Sequence, residues 1–232
     1  MTPELLSSPW FWLVAGYLLG SIPFGLVLTY LAGKGDVRKV GSGNIGTTNV
    51  LRAGGKWLAV LTLIFDAGKG AVVVWLGGQY AMGGDILGAM GAFVGHCFPI
   101  FLMFRGGKGV ATFLGIALAI SPIAGGVFAA VWIGMAVLFR FSSLAGLSAS
   151  LATPFVPLLF GRWDAALLLG GMAAIVVAKH EANIARLVRG EEPRIGRTSR
   201  AEPEEPSPDT EVPEDPRAQP DSDAEVTGPR LG

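Results

Sequence analysis

The chain is poor in metal-binding side chains. Cys97 is its only cysteine, and it has two histidines among 232 residues. One cysteine excludes an intramolecular disulfide and makes a thiolate-rich metal site implausible, and two histidines cannot form a histidine cluster. We therefore expect neither a metal site nor a bound cofactor.

Charge is absent from three long segments. Residues 5–33, 86–104 and 109–139 contain no charged side chain, 51% of all residues are hydrophobic, and the mean hydropathy is +0.51. A helix needs roughly 20 apolar residues to cross the ~30 Å hydrocarbon core of a bilayer. The N-terminus also lacks the positively charged start of a signal peptide, so we expect the first apolar segment to remain as a span. These features predict an all-α, polytopic integral membrane protein.

Acidic residues and proline are concentrated at the C-terminus. Residues 1–190 contain 13 Lys or Arg and 6 Asp or Glu, whereas residues 191–232 contain 5 and 12. Residues 191–232 also hold 8 of the 15 prolines and no aromatic residue. Such a segment cannot bury enough apolar surface to fold. We predict a membrane domain at 1–190 and a disordered, Pro-rich acidic cytoplasmic tail at 191–232, for which the sequence indicates no partner.

The uncharged segments predict seven transmembrane helices, near residues 10–32, 57–76, 85–104, 110–122, 124–139, 143–160 and 164–178. Residues 109–139 are divided into two helices because Ser121-Pro122 lies in their middle and favours a turn. With seven spans, 16 of the 18 Lys and Arg residues lie on one side of the membrane or in the tail. Positive charge stays cytoplasmic. The N-terminus is therefore expected outside and the C-terminus in the cytoplasm.

Three polar, glycine-rich segments interrupt the apolar pattern. They are residues 41–52 (GSGNIGTTNVLR), 95–112 (GHCFPIFLMFRGGKGVAT) and 179–183 (KHEAN). In the seven-span topology all three lie on the cytoplasmic side, as do Ser142 and Ser143. Glycine lets the backbone approach a ligand, successive N–H groups bind oxyanions, and Arg and Lys add charge. The segments predict one phosphate-binding site at the cytoplasmic face.

Two nucleotide-binding motifs are excluded by their context. Residues 41–46 match G-x-G-x-x-G, but that fingerprint follows a strand in a βαβ unit, whereas here it joins two membrane spans. Gly107-Lys108 is followed by Gly109 rather than by Ser or Thr, so there is no Walker A motif. An oxyanion cradle or a structural turn remains for the first segment, and its six polar side chains favour the cradle.

Charged and polar side chains in the other two segments have alternative roles. Lys108, flanked by glycines, is favoured as a ligand-binding residue, while Arg105 either binds a ligand or reaches toward lipid headgroups. His96 lies inside its apolar segment and is either functional or a structural histidine. His180 and Asn183, three residues apart on one helix face, are favoured as ligand contacts.

Two further patterns are expected to be structural. Asp66 and Lys69, three residues apart within the second span, form a neutralising pair that permits burial. The glycines between residues 84 and 95 recur at a 4-3-4 spacing on one helix face. This spacing predicts close packing against another membrane helix.

Together, the three segments resemble those of the bacterial acyl-phosphate:glycerol-3-phosphate acyltransferases, the PlsY family. That family has a GSGNxGxTN-V-LR loop, a GHxFPxFLxFxGGKGVAT loop and a KHxxNIxRLxxGxE segment. This chain matches them in the same order at residues 41–52, 95–112 and 179–192, within a resemblance that covers residues 10–192. The resemblance implies the seven-helix architecture of the family. It also implies a multi-pass protein of the bacterial cytoplasmic (inner) membrane whose active site faces the cytoplasm.

The resemblance implies a reaction as well. An acyl group would move from acyl phosphate, not acyl-CoA, to sn-glycerol 3-phosphate. The products would be 1-acyl-glycerol 3-phosphate (lysophosphatidic acid) and phosphate, in the first step of bacterial phospholipid synthesis. The partners are then these two substrates and membrane lipid, and no nucleic acid is expected. The His-x4-Asp pair of acyl-CoA-dependent acyltransferases is absent, since Phe101 and Ala185 stand five residues after the two histidines.

Candidate site residues follow from matching the family segments. The implied glycerol-phosphate contacts are Ser42, Arg52, Lys108, His180 and Asn183, with Ser142 and Ser143 as weaker candidates. The implied acyl-phosphate contacts are Gly41, Gly43, Asn44, Gly46, Thr47 and Asn49. Lys108 and His96 are the candidate catalytic residues. In the favoured hypothesis a substrate phosphate oxygen accepts the hydroxyl proton while Lys108 and Arg52 hold the anions, and His96 as general base is the alternative.

The residues alone leave two other classes of protein open. A transporter or channel for an organic phosphate also uses basic, glycine-rich breaks in its spans, but here the polar groups gather on one face. A membrane scaffold that recruits partners through the acidic tail would lose its function on deletion of residues 193–232. An enzyme would keep its activity after that deletion.

Overall fold

The computed structural model describes residues 2–196, and this part of the chain is built of α-helices. The helices are α1 (Pro3–Leu6), α2 (Pro9–Gly20), α3 (Phe24–Leu31), α4 (Thr47–Gly54), α5 (Lys56–Tyr80), α6 (Gly84–Cys97), α7 (Val110–Ile120), α8 (Pro122–Phe139), α9 (Ser142–Ala152), α10 (Phe155–Leu159), α11 (Trp163–Lys179) and α12 (Glu181–Arg189). Two 3-10 turns occupy Val37–Lys39 and Ile100–Leu102. The all-α prediction is confirmed for this range, and the predicted tail beyond residue 196 lies outside the described residues.

A helix occupies each of the seven predicted apolar segments. The first segment is interrupted between α2 and α3 at Pro23, whose ring and missing N–H do not fit a helix interior. The predicted division of residues 109–139 is observed, because Ser121 has an extended backbone (φ −155°, ψ 115°) between α7 and α8. The hydroxyl oxygen of Ser121 accepts a hydrogen bond from the backbone N–H of Ala124 (3.3 Å), which caps α8.

Length and composition qualify fewer helices as membrane spans than the sequence predicts. Among residues 2–196, the segments long and apolar enough to cross a bilayer are Pro9–Leu31, Lys56–Tyr80, Gly84–Leu102, Pro122–Phe139 and Ser142–Leu159. Helix α11 qualifies only together with α12, from which it is bent by 60°. Helix α7 has 11 residues and does not qualify by itself. These criteria support five or six spans, and the seven-span topology remains a prediction.

The predicted glycine packing is confirmed where α2 crosses α6. A Cβ atom on Gly91 would lie 2.1 Å from the carbonyl oxygen of Leu13, and one on Gly16 would lie 2.3 Å from that of Gly88. Backbones this close leave no room for side chains, which is why small residues occupy interfaces between membrane helices. This contact fixes α6, and with it the polar residues at the C-terminal end of α6.

The main apolar core lies between α6, α7, α8, α9 and α11. Phe93, Phe113 and Phe128 are buried there, and the rings of Phe113 and Phe128 stack with their centroids 5.2 Å apart. Buried aromatic rings contribute large apolar areas to such a core. The core therefore fixes the N-terminal end of α7, which directly follows the glycine-rich loop at Lys108.

The predicted ion pair in the second span is confirmed. Nζ of Lys69 lies 2.8 Å from Oδ1 of Asp66, and both side chains are buried. Lys69 donates a second hydrogen bond to the carbonyl oxygen of Ile22 (2.9 Å). The carboxylate and the carbonyl satisfy the ammonium group, so that the charge can be buried between α3 and α5.

Candidate active site

A large cavity brings together the residues that the sequence analysis selected. Its volume is about 650 Å³. Thirteen of the fourteen candidate site residues line it, namely Gly41, Ser42, Asn44, Gly46, Thr47, Asn49, Arg52, His96, Lys108, Ser142, Ser143, His180 and Asn183. The exception is Gly43, which lies in the turn beside the cavity. Its φ is +68°, and its backbone N–H donates a hydrogen bond to the carbonyl oxygen of Val40 (3.1 Å). Arg105 does not line the cavity either.

The side chain of Asn49 holds the first polar loop in shape. Its Oδ1 accepts a hydrogen bond from the backbone N–H of Ser42 (3.1 Å). Its Nδ2 donates to the carbonyl oxygens of Val37 (2.9 Å), Val40 (2.9 Å) and Asn44 (2.7 Å). Because these contacts use both the oxygen and the nitrogen of the amide, the Asn49 side chain fixes the shape of the loop.

The start of α4 presents hydrogen-bond donors to the cavity. Helix α4 begins at Thr47 after Gly46, and no side chain caps this end. The first N–H groups of a helix have no partner within the helix, and they attract anions. Among residues 2–196, the buried hydroxyl oxygen of Thr47 has no hydrogen-bond partner. Arg52, on the same helix, adds a positive charge to the lining.

A hydrogen-bonded network joins the Lys108 loop to α9, α12 and the residues after α12. Nζ of Lys108 donates to Oδ1 of Asn183, and Nδ2 of Asn183 donates to Oε1 of Glu192 (2.6 Å). Glu192 also accepts hydrogen bonds from Oγ of Ser143 (2.7 Å) and Nε of Arg186 (2.8 Å). Both ends of the Asn183 amide are therefore engaged, and its carbonyl oxygen is fixed toward Lys108.

Glu192 lines the cavity but is not among the site residues predicted from the sequence. It falls in the predicted disordered tail, yet it is buried and lines the cavity together with Ile195. The backbone N–H of Ile195 donates to the carbonyl of Arg140 (2.7 Å), which attaches residues 191–196 to the α8–α9 loop. The predicted boundary after Gly190 is too early because hydrogen bonds, rather than apolar burial, hold this segment. The GxE ending of the third family segment, which starts at Gly190, was the available signal.

The charges in the network balance one another only in part. Burial lowers the pKa of Lys108 to about 8. The nearby charges of Arg186 and Arg52 contribute to this lowering of the pKa, whereas the carboxylate of Glu192 acts to raise it. Burial raises the pKa of Glu192, but hydrogen bonds from Ser143, Asn183 and Arg186 outweigh it and hold that pKa below its usual value. Lys108 and Arg186 therefore share one ionised carboxylate in this network, and Arg52 adds a further positive charge to the cavity lining, which favours the binding of an anion.

The ring of His180 is held in one tautomer. Its Nδ1 lies 2.7 Å from the carbonyl oxygen of Val176. A carbonyl oxygen can only accept, so Nδ1 donates its hydrogen and Nε2 is left as an acceptor. A neutral His180 in this lining can accept a hydrogen bond from a ligand hydroxyl.

His96 lies at the C-terminal end of α6 with its ring between two protein groups. Nδ1 is 3.7 Å from Oδ1 of Asp66. Nε2 lies against Gly107, where a Cβ atom would be only 2.2 Å away. Asp66 lines the cavity as well, and it is a second site residue that the sequence analysis had interpreted only as half of an ion pair.

The opposite side of the cavity is apolar. It is formed by α7 and α8 through Val110, Leu114, Phe128, Trp132 and Ile133. Ile133 is 57% exposed, so this wall reaches the outer surface of the helices. A ligand with an anionic head and an alkyl chain matches the two sides of the cavity.

Comparison with known proteins points to the same chemistry. The family model for glycerol-3-phosphate acyltransferase matches residues 10–190. The glycerol-3-phosphate acyltransferase of Maricaulis maris (strain MCS10) is 55% identical over 183 residues, which cover 78% of this chain and 84% of that protein. The glycerol-3-phosphate acyltransferase of Methylorubrum populi is 52% identical over 200 residues, which cover 84% of this chain and 98% of that protein.

Two solved structures are also similar. The crystal structure of PlsY, an integral membrane glycerol 3-phosphate acyltransferase, in its glycerol 3-phosphate form matches with a TM-score of 0.77 and 36% identity. That match covers 81% of this chain and 96% of the other. The lysophosphatidic acid form matches with a TM-score of 0.75 and 34% identity, over 80% and 94% of the two chains. The similarity therefore includes both the fold and the sequence.

Proposed function

We propose that this chain, which belongs to the glycerol-3-phosphate acyltransferase family, uses acyl phosphate as its acyl donor and forms lysophosphatidic acid as its product. The hydroxyl oxygen of glycerol 3-phosphate attacks the carbonyl carbon of the acyl phosphate. The bond between that carbon and the phosphate oxygen breaks, and inorganic phosphate leaves with the bonding electrons. The hydroxyl proton passes to a phosphate oxygen, so that the reaction needs no external acid or base.

The observation that carries this proposal is the composition of a single cavity. Its polar side contains two groups of anion-binding residues, one at the start of α4 and one around Lys108 and Arg52, and its other side is the apolar wall of α7 and α8. Two substrates that each carry a phosphate, one of them attached to an alkyl chain, require all three parts. Acyl phosphate is already activated, so catalysis rests on positioning and on charge stabilisation.

The acceptor, glycerol 3-phosphate, is assigned to the Lys108 side of the cavity. Lys108 and Arg52 would neutralise its phosphate, with Ser42 as a hydroxyl donor to it. His180, which is held as a neutral acceptor, and Asn183 would orient the glycerol hydroxyls. The network through Glu192 explains why Lys108 and Asn183 would be in place before the substrate arrives.

The donor phosphate is assigned to the loop at the start of α4. The uncapped N–H groups after Gly46 and the hydroxyl of Thr47 would bind its oxygens. Hydrogen bonds from Asn49 hold this loop in shape, and Gly41 has a φ of +58°, which allows the chain to turn there. The alkyl chain would lie along Leu114, Trp132 and the neighbouring apolar residues of the wall.

Proton transfer is assigned to the substrate itself. The leaving phosphate lies beside the attacking hydroxyl in this arrangement, and one of its oxygens accepts the proton. His96 remains the alternative base from the sequence analysis. A general base contributes roughly 10²–10⁴ to the rate, so kcat of the His96→Ala variant distinguishes the two.

The proposed topology has seven spans, with the cavity open to the cytoplasm. Arg52 on α4, Arg140 after α8 and Arg186 on α12 lie at the polar end of the predicted spans, which supports this topology because basic residues stay cytoplasmic. Helix α7, with 11 residues, would cross where the bilayer is locally thinned. Cys97 is buried, so single cysteines introduced at Arg162 and at Lys34 can be labelled with an impermeant thiol reagent in oriented vesicles. Equal labelling of both positions from one side would contradict the topology.

The function is tested with purified protein, glycerol 3-phosphate and palmitoyl phosphate, with lysophosphatidic acid as the measured product. Palmitoyl-CoA replaces palmitoyl phosphate in a parallel reaction. Product from the phosphate alone is the expected result. Product from palmitoyl-CoA would overturn the choice of donor, and no product from either, with correctly folded protein, would overturn the reaction.

A further inference from the structure

Gly106 and Gly107, which precede Lys108, are required because there is no space for a side chain, not because of their backbone conformation. Neither Gly106 nor Gly107 has a positive φ, so their backbones are open to other residues. A Cβ atom at Gly107 would lie 2.2 Å from Nε2 and 2.8 Å from Cε1 of His96. A Cβ atom at Gly106 would lie 2.2 Å from the carbonyl oxygen of His96 and 2.3 Å from Cδ of Pro99. His96 therefore excludes a side chain at both positions, once through its ring and once through its backbone.

The same histidine holds the loop by a hydrogen bond. The backbone N–H of Gly107 donates to the carbonyl oxygen of His96 (3.0 Å). The next residue along α6 is fixed as well, because Nζ of Lys179 donates to the carbonyl oxygen of Cys97 (3.0 Å). The ring and carbonyl of His96 thus form a surface on which the turn leading into Lys108 rests.

Asp66 limits how the ring can move. Its Oδ1 lies 3.7 Å from Nδ1 of His96, and it is itself held by the ammonium group of Lys69 (2.8 Å). His96 is only 4% exposed, so the ring has little freedom to rotate away from Gly107. A chain of contacts therefore runs from the buried ion pair of α5 through His96 to the loop that carries Lys108.

We propose that His96, whose ring faces Asp66, is a positioning residue that sets the backbone position of Lys108 through direct contact of its ring with Gly107. This inference rests on the proposed function for its kinetic consequences. It places Nδ1 of His96, which has no hydrogen-bond partner among residues 2–196, opposite Asp66 and Nε2 against Gly107, and it gives Asp66 a role beyond neutralising Lys69. Proton acceptance then stays with the substrate phosphate.

The adjacent glycines provide a matched test of this contact. We would measure kcat and KM for glycerol 3-phosphate in Gly107→Ala and Gly106→Ala, each with and without His96→Ala. Gly107→Ala should raise KM by about tenfold in the parent and by much less in the His96→Ala background, because the ring it collides with is gone. Gly106→Ala should be equally damaging in both backgrounds, since the His96 carbonyl oxygen remains. Equal factors for Gly107→Ala in both backgrounds would overturn the proposal.

Two further measurements keep the result interpretable. Each variant is checked by size-exclusion chromatography and thermal unfolding in detergent, with Gly126→Ala, at a position open to space, as the glycine control. If Gly107→Ala does not fold, His96→Asn and Asp66→Asn decide instead. Both should raise KM while kcat falls only about threefold, whereas a kcat loss of about 10²–10⁴ at unchanged KM would identify a general base and refute the positioning role.

Calorimetry with glycerol 3-phosphate alone measures substrate binding without acyl transfer. It therefore tests the positioning role of His96 independently of the proposed reaction. A parent protein that binds glycerol 3-phosphate but transfers no acyl group refutes the proposed reaction. The coupling between Gly107 and His96 is then tested on the dissociation constant. Loss of affinity in Gly107→Ala that is relieved by His96→Ala supports the positioning role, and loss that is not relieved refutes it.

Discussion

The ammonium group of Lys108 donates a hydrogen bond to the side-chain carbonyl oxygen of Asn183, 75 residues further along the chain. The same amide donates to Glu192 through its nitrogen (2.6 Å), so it cannot rotate without breaking both bonds. The position of the cation in the cavity is therefore fixed by two other side chains. This arrangement resembles a preorganised electrostatic site, in which the orienting work is complete before a substrate binds.

Removal of the Lys108 ammonium group should reduce turnover. Lys108→Ala is expected to lower kcat by about 10²–10³, because it removes a charge that stabilises the developing anion. The assay is initial-rate formation of lysophosphatidic acid near neutral pH. Lys56→Ala, at an exposed lysine away from the cavity, is the control and should behave as the parent. Near-normal turnover in Lys108→Ala would refute the assigned role.

The pH dependence of kcat/KM should report the same group. Burial lowers the pKa of Lys108 to about 8 in the free protein. The charged form predominates below this pKa, so kcat/KM should fall as the pH rises through it. Lys108→Arg keeps its charge at all accessible pH values, and its profile should lack this fall. A parent profile that stays level on the alkaline side, after correction for hydrolysis of the acyl phosphate, would contradict the assignment.

Neutralising Glu192 should affect both the rate and this profile. Glu192→Gln is expected to lower kcat/KM by about 10–10²-fold, because Asn183 and Arg186 lose their charged partner and Lys108 is misplaced. The alkaline fall should also move to lower pH, since the Glu192 carboxylate raises the pKa of Lys108. Glu191→Gln, which breaks an exposed pair with Arg189 (both about 57% exposed), is the matched control. Identical profiles for the two variants would count against the network.

Substitution of Asn49 should weaken the fold as well as the site. Asn49→Ala removes four hydrogen bonds of the loop and leaves the N–H of Ser42 without this acceptor, at a cost of about 1–3 kcal/mol. A lower thermal unfolding temperature in detergent and a higher KM for palmitoyl phosphate are expected together. Ser7→Ala, which removes an exposed hydrogen bond to the carbonyl of Glu4, serves as the control. Unchanged stability would show that the loop does not depend on Asn49.

Two truncations should separate the acidic tail from the site. Deletion of residues 197–232 should leave acyl transfer intact, because the family model ends at residue 190 and Glu192 is retained. Deletion of residues 191–232 should reduce activity strongly, because it removes Glu192 from the network with Asn183 and Arg186. Both proteins are compared in the same transfer assay. Loss of activity in the shorter deletion would revive the scaffold hypothesis.

The apolar segments and their interruptions were predictable because they depend on local properties. Apolar residues at sufficient length predict helices in a membrane, and Ser121-Pro122 supplies both a capping hydroxyl and a residue that starts a helix. The number of spans is less predictable. Helix α7 has 11 residues, which is too short for a span by length alone. The distribution of charge nevertheless predicts that this segment crosses the membrane.

The candidate site was also found largely from sequence, because its residues belong to three recognisable segments. The hydrogen bonds that hold these side chains were not. Asn49, a predicted contact of the donor, lines the cavity, and its amide also holds the first polar loop in shape. Glu192 was assigned to the tail because composition there is acidic and rich in proline, and composition does not reveal hydrogen bonds to Ser143 and Asn183.

Sequence information is enough to identify a helical membrane protein, to place its main helices, and to group its polar residues. These properties follow from side-chain hydropathy, from proline and glycine geometry, and from ordered motifs, all of which act over short distances along the chain. By contrast, the contacts by which Glu192 orients Asn183 toward Lys108 and the ring of His96 lies against Gly107 become visible only in the folded protein. The direction of a buried hydrogen bond and the space beside a glycine depend on residues far apart in sequence, which meet only when the helices pack.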